Sequence, residues 1–304
     1  MTVASSPRAP ASQATRVVSS RTPLFRRVAT IYRYRELLLG FVRKELKVKY
    51  KNSALGFFWS MLNPALYLVV FYIVFQIILK SGIPNFAIFL LSGLLVWNYF
   101  STALMSATTS VVANAALLTK VAFPREVLPL APVMAGLVHL FLQSFVLGGA
   151  LLVLRYDVSA KYALLLPPAL VALVIFTAAL GILLSALNVY LRDIQHLLEL
   201  ALTAWFWLTP IVYPFRLVAD RLRDNSWLMF LNPMIAITVA FQRAIYNRVD
   251  APAGGDMVLN ILPAETSLSW YLFHIGIVAG AGLVLLAVAL TIFGRLEGNF
   301  AEEL

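Results

Sequence analysis

From Tyr34 to Lys51 apolar residues recur every three or four positions, at Tyr34, Leu37, Leu38, Phe41, Val42 and Leu46. Glu36, Arg43, Lys44, Lys47 and Lys51 take the opposite side. A helical period with one charged face predicts an amphipathic helix lying in the plane of a membrane surface. Asn52, Ser53 and Gly56 interrupt it, and the alternation then gives way to long unbroken apolar runs. A bilayer crossing takes about 20 mainly apolar residues. Six runs qualify: 57–79, 86–105, 127–154, 162–189, 197–213 and 270–293.

The pattern divides the chain into a disordered tail over 1–30, an interface helix over 31–53 and a transmembrane domain over 54–304. Cations beside the first run hold that end in the cytoplasm, and an even number of crossings returns both termini there. Loops 80–85 and 155–161 then fall outside, and 119–126 and 192–195 inside. Residues 214–268 form an external gate segment. Within it the apolar stretch 227–241 is broken at Asn232 and Pro233, which predicts a re-entrant or interfacial hairpin. Five basic residues there (Arg216, Arg221, Arg223, Arg243, Arg248) are balanced by five acidic ones (Asp220, Asp224, Asp250, Asp256, Glu265), so no excess of cations holds the segment inside. The expected fold is an all-α integral membrane protein with six transmembrane helices, an amino-terminal interface helix and gate helices in the last external loop.

Composition agrees. Of 304 residues, 61% are hydrophobic and 12% charged, far from a soluble domain. The net charge of +10 is concentrated, since half of the 24 Lys and Arg residues precede Asn52, which fits anionic lipid rather than nucleic acid. No Cys is present, so disulfides and thiolate metal sites are excluded.

The missing chemistry is informative. Ion-coupled carriers keep carboxylates at membrane depth. Here only Glu199, one helical turn into the fifth run, comes near that description. His139 and His274 stand alone in their runs. No Gly is followed by Lys, so a GxxxxGK[ST] phosphate loop is absent. Uphill movement must draw its energy from another polypeptide, with no cofactor or metal on this chain.

Three constellations remain. Trp59, Asn63, Tyr67, Phe71 and Phe75 are spaced by four along the first run, and Trp205, Phe206 and Trp207 crowd the fifth. Such rings stack on the apolar faces of sugars or simply pack helices. The loop "LLTKVAFPREVLPLAP" (117–132) carries Lys120, Arg125 and Glu126 around Pro124, an elbow suited to a groove on a soluble partner or a solvated turn. "LTPIVYPF" (208–215) and "FLNPM" (230–234) place prolines at helix ends, as broken helices require. Gly276 with Gly280, and Gly181 with Ser185, permit close helix contact in lipid.

Taken together, "YRELLLGFVRKELKVKYKNSALGFFWSMLNP" (34–64), "LTPIVYPF" and "LNPM" resemble the membrane subunit of ABC-2 type exporters of lipid-linked polysaccharides, which serve O-antigens, teichoic acids and mycobacterial galactan. The resemblance runs from about residue 32 to the end. It implies a type V exporter fold, a homodimer and two copies of a separate ATP-binding subunit that holds ATP and Mg. It also implies a multi-pass protein of the inner or plasma membrane, with lipids around it and both termini cytoplasmic. Carried over, the interface helix and the elbow at Lys120, Arg125 and Glu126 receive the ATPase stroke. Arg43, Lys44 and Lys47 meet the lipid diphosphate, and Trp59, Asn63, Tyr67, Phe71, Phe75, Trp205 and Trp207 line the polymer channel. Abundant Ala and Val, an excess of Arg over Lys and the end "FGRLEGNFAEEL" resemble the actinobacterial galactan branch. An exporter of small amphiphiles and a polyprenyl-phosphate-dependent transferase are the alternatives. The transferase would need clustered acids for a metal ion.

Overall fold

The computed structural model describes residues 24–51, 58–78, 82–118, 120–254, 257–264 and 267–304. The tail over 1–23, the break at Asn52, Ser53 and Gly56, and Asp256 and Glu265 of the gate segment lie outside the described residues.

The chain opens with α1 (Leu24–Arg33) and α2 (Arg35–Tyr50). The end of the expected tail, residues 24–30, is therefore helical. Its Arg27 is drawn into a buried ion cluster that the local sequence does not announce. In α2 the apolar stripe is as expected, but its cover is protein: Leu38, Phe41, Val42 and Leu46 pack with Ala131 and Ala135. These two belong to the helix over Val127–Val153, whose small residues let α2 approach closely.

Next come α3 (Phe58–Phe71), which continues as a π-helical stretch Tyr72–Ile78, and α4 (Phe86–Ala113). After the short α5 (Ala115–Leu118) the chain forms α6 (Val127–Val153), a single turn α7 (Ala160–Ala163) and α8 (Leu166–Tyr190). Helix α9 (Ile194–Trp207) has 14 residues, so the expected fifth crossing over 197–213 stops early, and 208–213 are not helical. Pro210 cannot continue a helix, and its own carbonyl accepts from Gln242 Nε2 at 2.9 Å.

The segment expected to form a gate comprises α10 (Phe215–Leu222), a 3-10 stretch Arg223–Leu231 and α11 (Pro233–Ile245). Its two arms, Phe215–Leu231 and Pro233–Ile245, meet at 104° around Asn232, the broken geometry that Asn-Pro predicts. Helix α11 is not interfacial, however: every residue from Met234 to Ile245 is buried. Its sequence is mainly apolar, and of its polar side chains Gln242 Nε2 donates to Pro210 O at 2.9 Å and Arg243 Nη1 donates to Asn247 O at 3.0 Å. An antiparallel pair, β1 (Asp250–Gly254) and β2 (Met257–Asn260), is the only strand pairing among the described residues. The chain ends with α12 (Leu268–Leu296) and α13 (Phe300–Glu303).

By length and apolarity, four helices among the described residues suffice to cross a membrane, namely α4, α6, α8 with α7, and α12, or five if the bent gate pair counts as one. Helix α4 is the hub, packed against α3, α6, α8, α9 and α11. Small residues set its crossings. Gly136 of α6 lies against Tyr99 and Ala103, and a Cβ on Gly181 of α8 would stand 2.8 Å from the Ala107 Cβ. Close approach of backbones is the main source of helix association where lipid replaces water. Gly276 and Gly280 differ, with nothing within 4 Å. Gly181→Ala is expected to cost about 1–3 kcal/mol through overpacking, whereas Gly276→Ala is near neutral, as thermal unfolding in detergent measures.

The two ends of the bundle are distinct. At one, the Tyr246 hydroxyl donates to Pro84 O at 2.8 Å and the Tyr156 hydroxyl donates to Tyr246 O. Burial pushes the Tyr156 hydroxyl above its ordinary pKa, partly offset by Arg248. At the other end, the amino-terminal helix, the elbow and the carboxyl-terminal segment converge.

Candidate functional site

At that converging end Arg27 of α1 holds two carboxylates: Nη1 reaches Glu126 Oε1 at 2.5 Å and Nη2 reaches Glu297 Oε1 at 2.7 Å. The Arg27 and Glu126 side chains are 9% and 5% exposed, so water screens the pair little. Arg125 donates from Nη1 to Glu297 O, and its guanidinium lies 6.0 Å over the Phe300 ring. The guanidinium of Arg27 sits on Gly294, where a Cβ would come within 2.2 Å of Nη2. Two of the three expected coupling residues, Arg125 and Glu126, are thus knitted into the molecule. Lys120 is exposed beside exposed Val121 and Ala122, so these three present the elbow outward. A cavity of about 730 Å³ opens between this loop, Arg26, Thr30 and Gly298.

On α2, Arg43 and Lys47 are exposed, whereas Lys44 Nζ donates to Asn114 Oδ1 at 2.6 Å and lies 5.7 Å over the Phe41 ring. Two of the three cations proposed for a headgroup therefore stand open, and the third braces α2 against the end of α4.

The expected channel residues separate into groups. Tyr67 and Phe71 line a groove of about 490 Å³ with Trp97, Asn98, Ser101 and Thr102 of α4 and Glu199, Thr203 and Phe206 of α9. Phe75 turns inward and stacks on Phe86 at 5.1 Å. Trp59 is half exposed on the outer face of α3, and the side chain of Asn63 lies outside the described residues. Trp207 and Trp205 line a separate, mainly apolar cavity of about 1040 Å³ with Tyr213, Leu228 and Leu231. Trp205 also packs edge-on to Phe100 at 5.2 Å and donates from Nε1 to Asn232 Oδ1 at 2.7 Å.

Asn232 is the residue that sequence reading undervalued. Its Oδ1 also accepts from Met234 N at 3.0 Å, capping α11, and its Nδ2 donates to Thr209 Oγ1 at 3.2 Å. The "LNPM" and "LTPIVYPF" segments are therefore one structural unit, joined by a single amide. The signal that pointed to it was Asn before Pro at a helix start. Ring contacts run on from the groove: Tyr67 to Phe71 at 6.3 Å, Phe71 to Phe75 at 5.9 Å, Phe86 to Phe89 at 6.1 Å and Phe89 to Tyr246 at 5.4 Å. A ladder of aromatic rings thus links the groove to the opposite end of the bundle. Among the described residues no group of three His, Asp or Glu stands close enough to hold a metal ion.

An all-α bundle with a basic amphipathic helix, two arms bent by 104° and several apolar helices long enough to cross a bilayer defines a multi-pass membrane protein. The chain belongs to the ABC-2 type transporter family, whose model matches residues 36–246. It is 34% identical over 285 residues to the O-antigen export system permease protein RfbA of Myxococcus xanthus, covering 92% of this chain and all of that protein. It is 30% identical over 269 residues to the O-antigen export system permease protein RfbA of Klebsiella pneumoniae, covering 88% of this chain and 95% of that one.

Proposed function

We propose that this chain is the membrane-spanning subunit of an ATP-driven exporter that carries a polyprenyl-diphosphate-linked polysaccharide, an O-antigen-like glycan or a cell-wall galactan, to the outer face of the inner membrane. The groove carries the reading. Rings from α3 (Tyr67 and Phe71) face hydroxyl and amide side chains from α4 (Asn98, Ser101 and Thr102), the pairing of apolar faces and polar edges that sugars present. The O-antigen permeases it resembles over nearly their whole length support the same cargo class.

Two copies enclose the path, and two copies of an ATP-binding subunit supply the stroke. The exposed elbow tip at Lys120 and Val121 meets that subunit. Motion there passes through the Arg27, Glu126 and Glu297 cluster to α1, α6 and α12 as one rigid lever. Arg43 and Lys47 offer countercharge to the diphosphate at the membrane surface. Many weak ring contacts let a polymer slide, since no single contact is costly to leave.

The test is ATP-dependent movement of a labelled lipid-linked glycan into vesicles holding this chain and its ATP-binding subunit, with efflux of a small amphiphilic dye as the contrasting cargo. Tyr67→Ala with Phe71→Ala is expected to slow glycan transport about tenfold or more, each lost ring contact costing about 1 kcal/mol. Dye efflux without glycan movement would sink the proposal.

A further inference from the structure

Three helices face the groove with the same register. Helix α4 presents Asn98, Ser101, Thr102 and Met105, and α9 presents Glu199, Leu202, Thr203 and Phe206, each set at i, i+3, i+4 and i+7, while α3 adds Tyr67 and Phe71 at i and i+4. Polar and aromatic residues therefore converge from three sides, in a volume of about 490 Å³ within the usual range for small-ligand sites.

Glu199 sets the chemistry. It lies in the second turn of α9, roughly 8 Å along the helix from its start at Ile194. Its side chain is exposed and has no hydrogen-bond or ion-pair partner among the described residues, and the groove lining contains no Lys or Arg. An unpaired carboxylate aimed at lipid is strongly disfavoured, so this one faces water. The neighbouring groups are poised to accept or donate. Ser101 Oγ donates to Trp97 O at 2.9 Å and Thr203 Oγ1 donates to Glu199 O at 3.0 Å, which leaves both oxygens as acceptors. The side chains of Asn98 and Thr102 have no hydrogen-bond partner among the described residues.

We infer that Glu199, with Asn98 and Thr102, forms a subsite that binds vicinal hydroxyls of neutral sugar units against the Tyr67 and Phe71 rings and repels polyanionic glycans. A carboxylate accepts two sugar hydroxyls at once in charge-assisted hydrogen bonds. A uronate or phosphodiester repeat brings like charge to a groove with no cation to offset it. The inference rests on the glycan-export reading and narrows its substrate to neutral polymers.

The experiment uses the full chain in lipid nanodiscs, titrated with a neutral galacto-oligosaccharide and an oligogalacturonate of equal length and followed by tryptophan fluorescence, since Trp97 lines the groove. Wild type is expected to prefer the neutral sugar by about tenfold or more, the scale of one charge-assisted hydrogen bond. Glu199→Gln loses most of that preference, and Glu199→Lys inverts it. Melting temperatures of both variants stay at the wild-type value because the side chain has no internal partner. Equal preference in all three proteins, or wild-type binding of neither sugar, overturns the subsite. Glycan transport in vesicles, measured in parallel, separates the two failures. Transport that persists while Glu199→Lys changes nothing removes the subsite alone, and absence of any wild-type glycan transport removes the broader reading.

Discussion

Arg27→Ala is expected to be the most damaging single change outside the transport path, lowering the melting temperature in detergent by about 10 °C. The substitution strands Glu126 and Glu297, whose carboxylates stand 2.5 and 2.7 Å from the guanidinium, in a site from which water is largely excluded. Removing one partner of a buried pair costs about 3–5 kcal/mol because the remaining charge is uncompensated. In a domain of this size each kcal/mol moves the midpoint by about 2–4 °C. Replacing all three together, by Arg27→Met, Glu126→Gln and Glu297→Gln, recovers most of the loss, since no charge is then left buried. High salt leaves the wild-type midpoint nearly unchanged, because ions do not screen a buried pair well. Gly294→Ala mimics Arg27→Ala, since its Cβ would occupy the guanidinium position. A midpoint for Arg27→Ala within 2 °C or so of wild type would show that the cluster fastens nothing.

Asn232→Ala is expected to come second, at about 2–4 kcal/mol. The cap of α11 contributes about 1 kcal/mol. The orphaned Trp205 Nε1, half-buried against Phe100, adds about 1–3 kcal/mol for a donor left without an acceptor. Asn232→Asp separates the terms, because it keeps Oδ1 for Met234 N and Trp205 Nε1 but loses the Nδ2 donation to Thr209. The Asp variant is therefore expected between wild type and Ala in thermal unfolding. Trp205 emission shifts to longer wavelength in the Ala variant alone, as the ring gains water. Equal midpoints for the Asp and Ala variants would place the whole effect in the Nδ2 contacts with Thr209 Oγ1 and Leu208 O.

Much of the fold was legible because apolar period and length are local properties. The runs 86–105, 127–154, 162–189 and 270–293 all reappear as helices, since a stretch apolar enough to leave water must satisfy its own backbone. The break at Asn232 and Pro233 was legible for the same reason: a missing donor acts where it stands. The fifth run was misjudged because hydropathy measures how greasy 197–213 is, not whether Pro210 lets it remain one helix. Similarly, the local pattern of 227–241 predicts a re-entrant or interfacial hairpin, whereas α11 lies buried among α4, α8 and α12, neighbours that hydropathy does not reveal.

The groove was only half visible. Spacing by four identified Tyr67 and Phe71, but Phe75, Trp205 and Trp59 share that aromatic character and go elsewhere, because a stripe says which side a ring is on and not what meets it. Asn98, Ser101 and Thr102 passed unnoticed as ordinary polar residues within an apolar helix. Arg125 and Glu126 stood out as charges on an elbow, while their partners Arg27 and Glu297 lie 99 and 270 positions from Glu126 and Arg27 respectively.

By itself the sequence determined that this chain is a helical membrane protein with a basic amphipathic helix, a segment broken at Asn232 and Pro233, and no phosphate loop of the GxxxxGK[ST] kind. Those properties follow from the transfer of local stretches between water and lipid, and neighbours in sequence suffice to set them. Only the tertiary structure decided which charges are tied together at the converging end, which rings face the groove, and that Glu199 looks into it unpaired. Such choices depend on side chains brought together across the bundle, and helix crossings fixed by Gly136 and Gly181 against α4 select which faces meet.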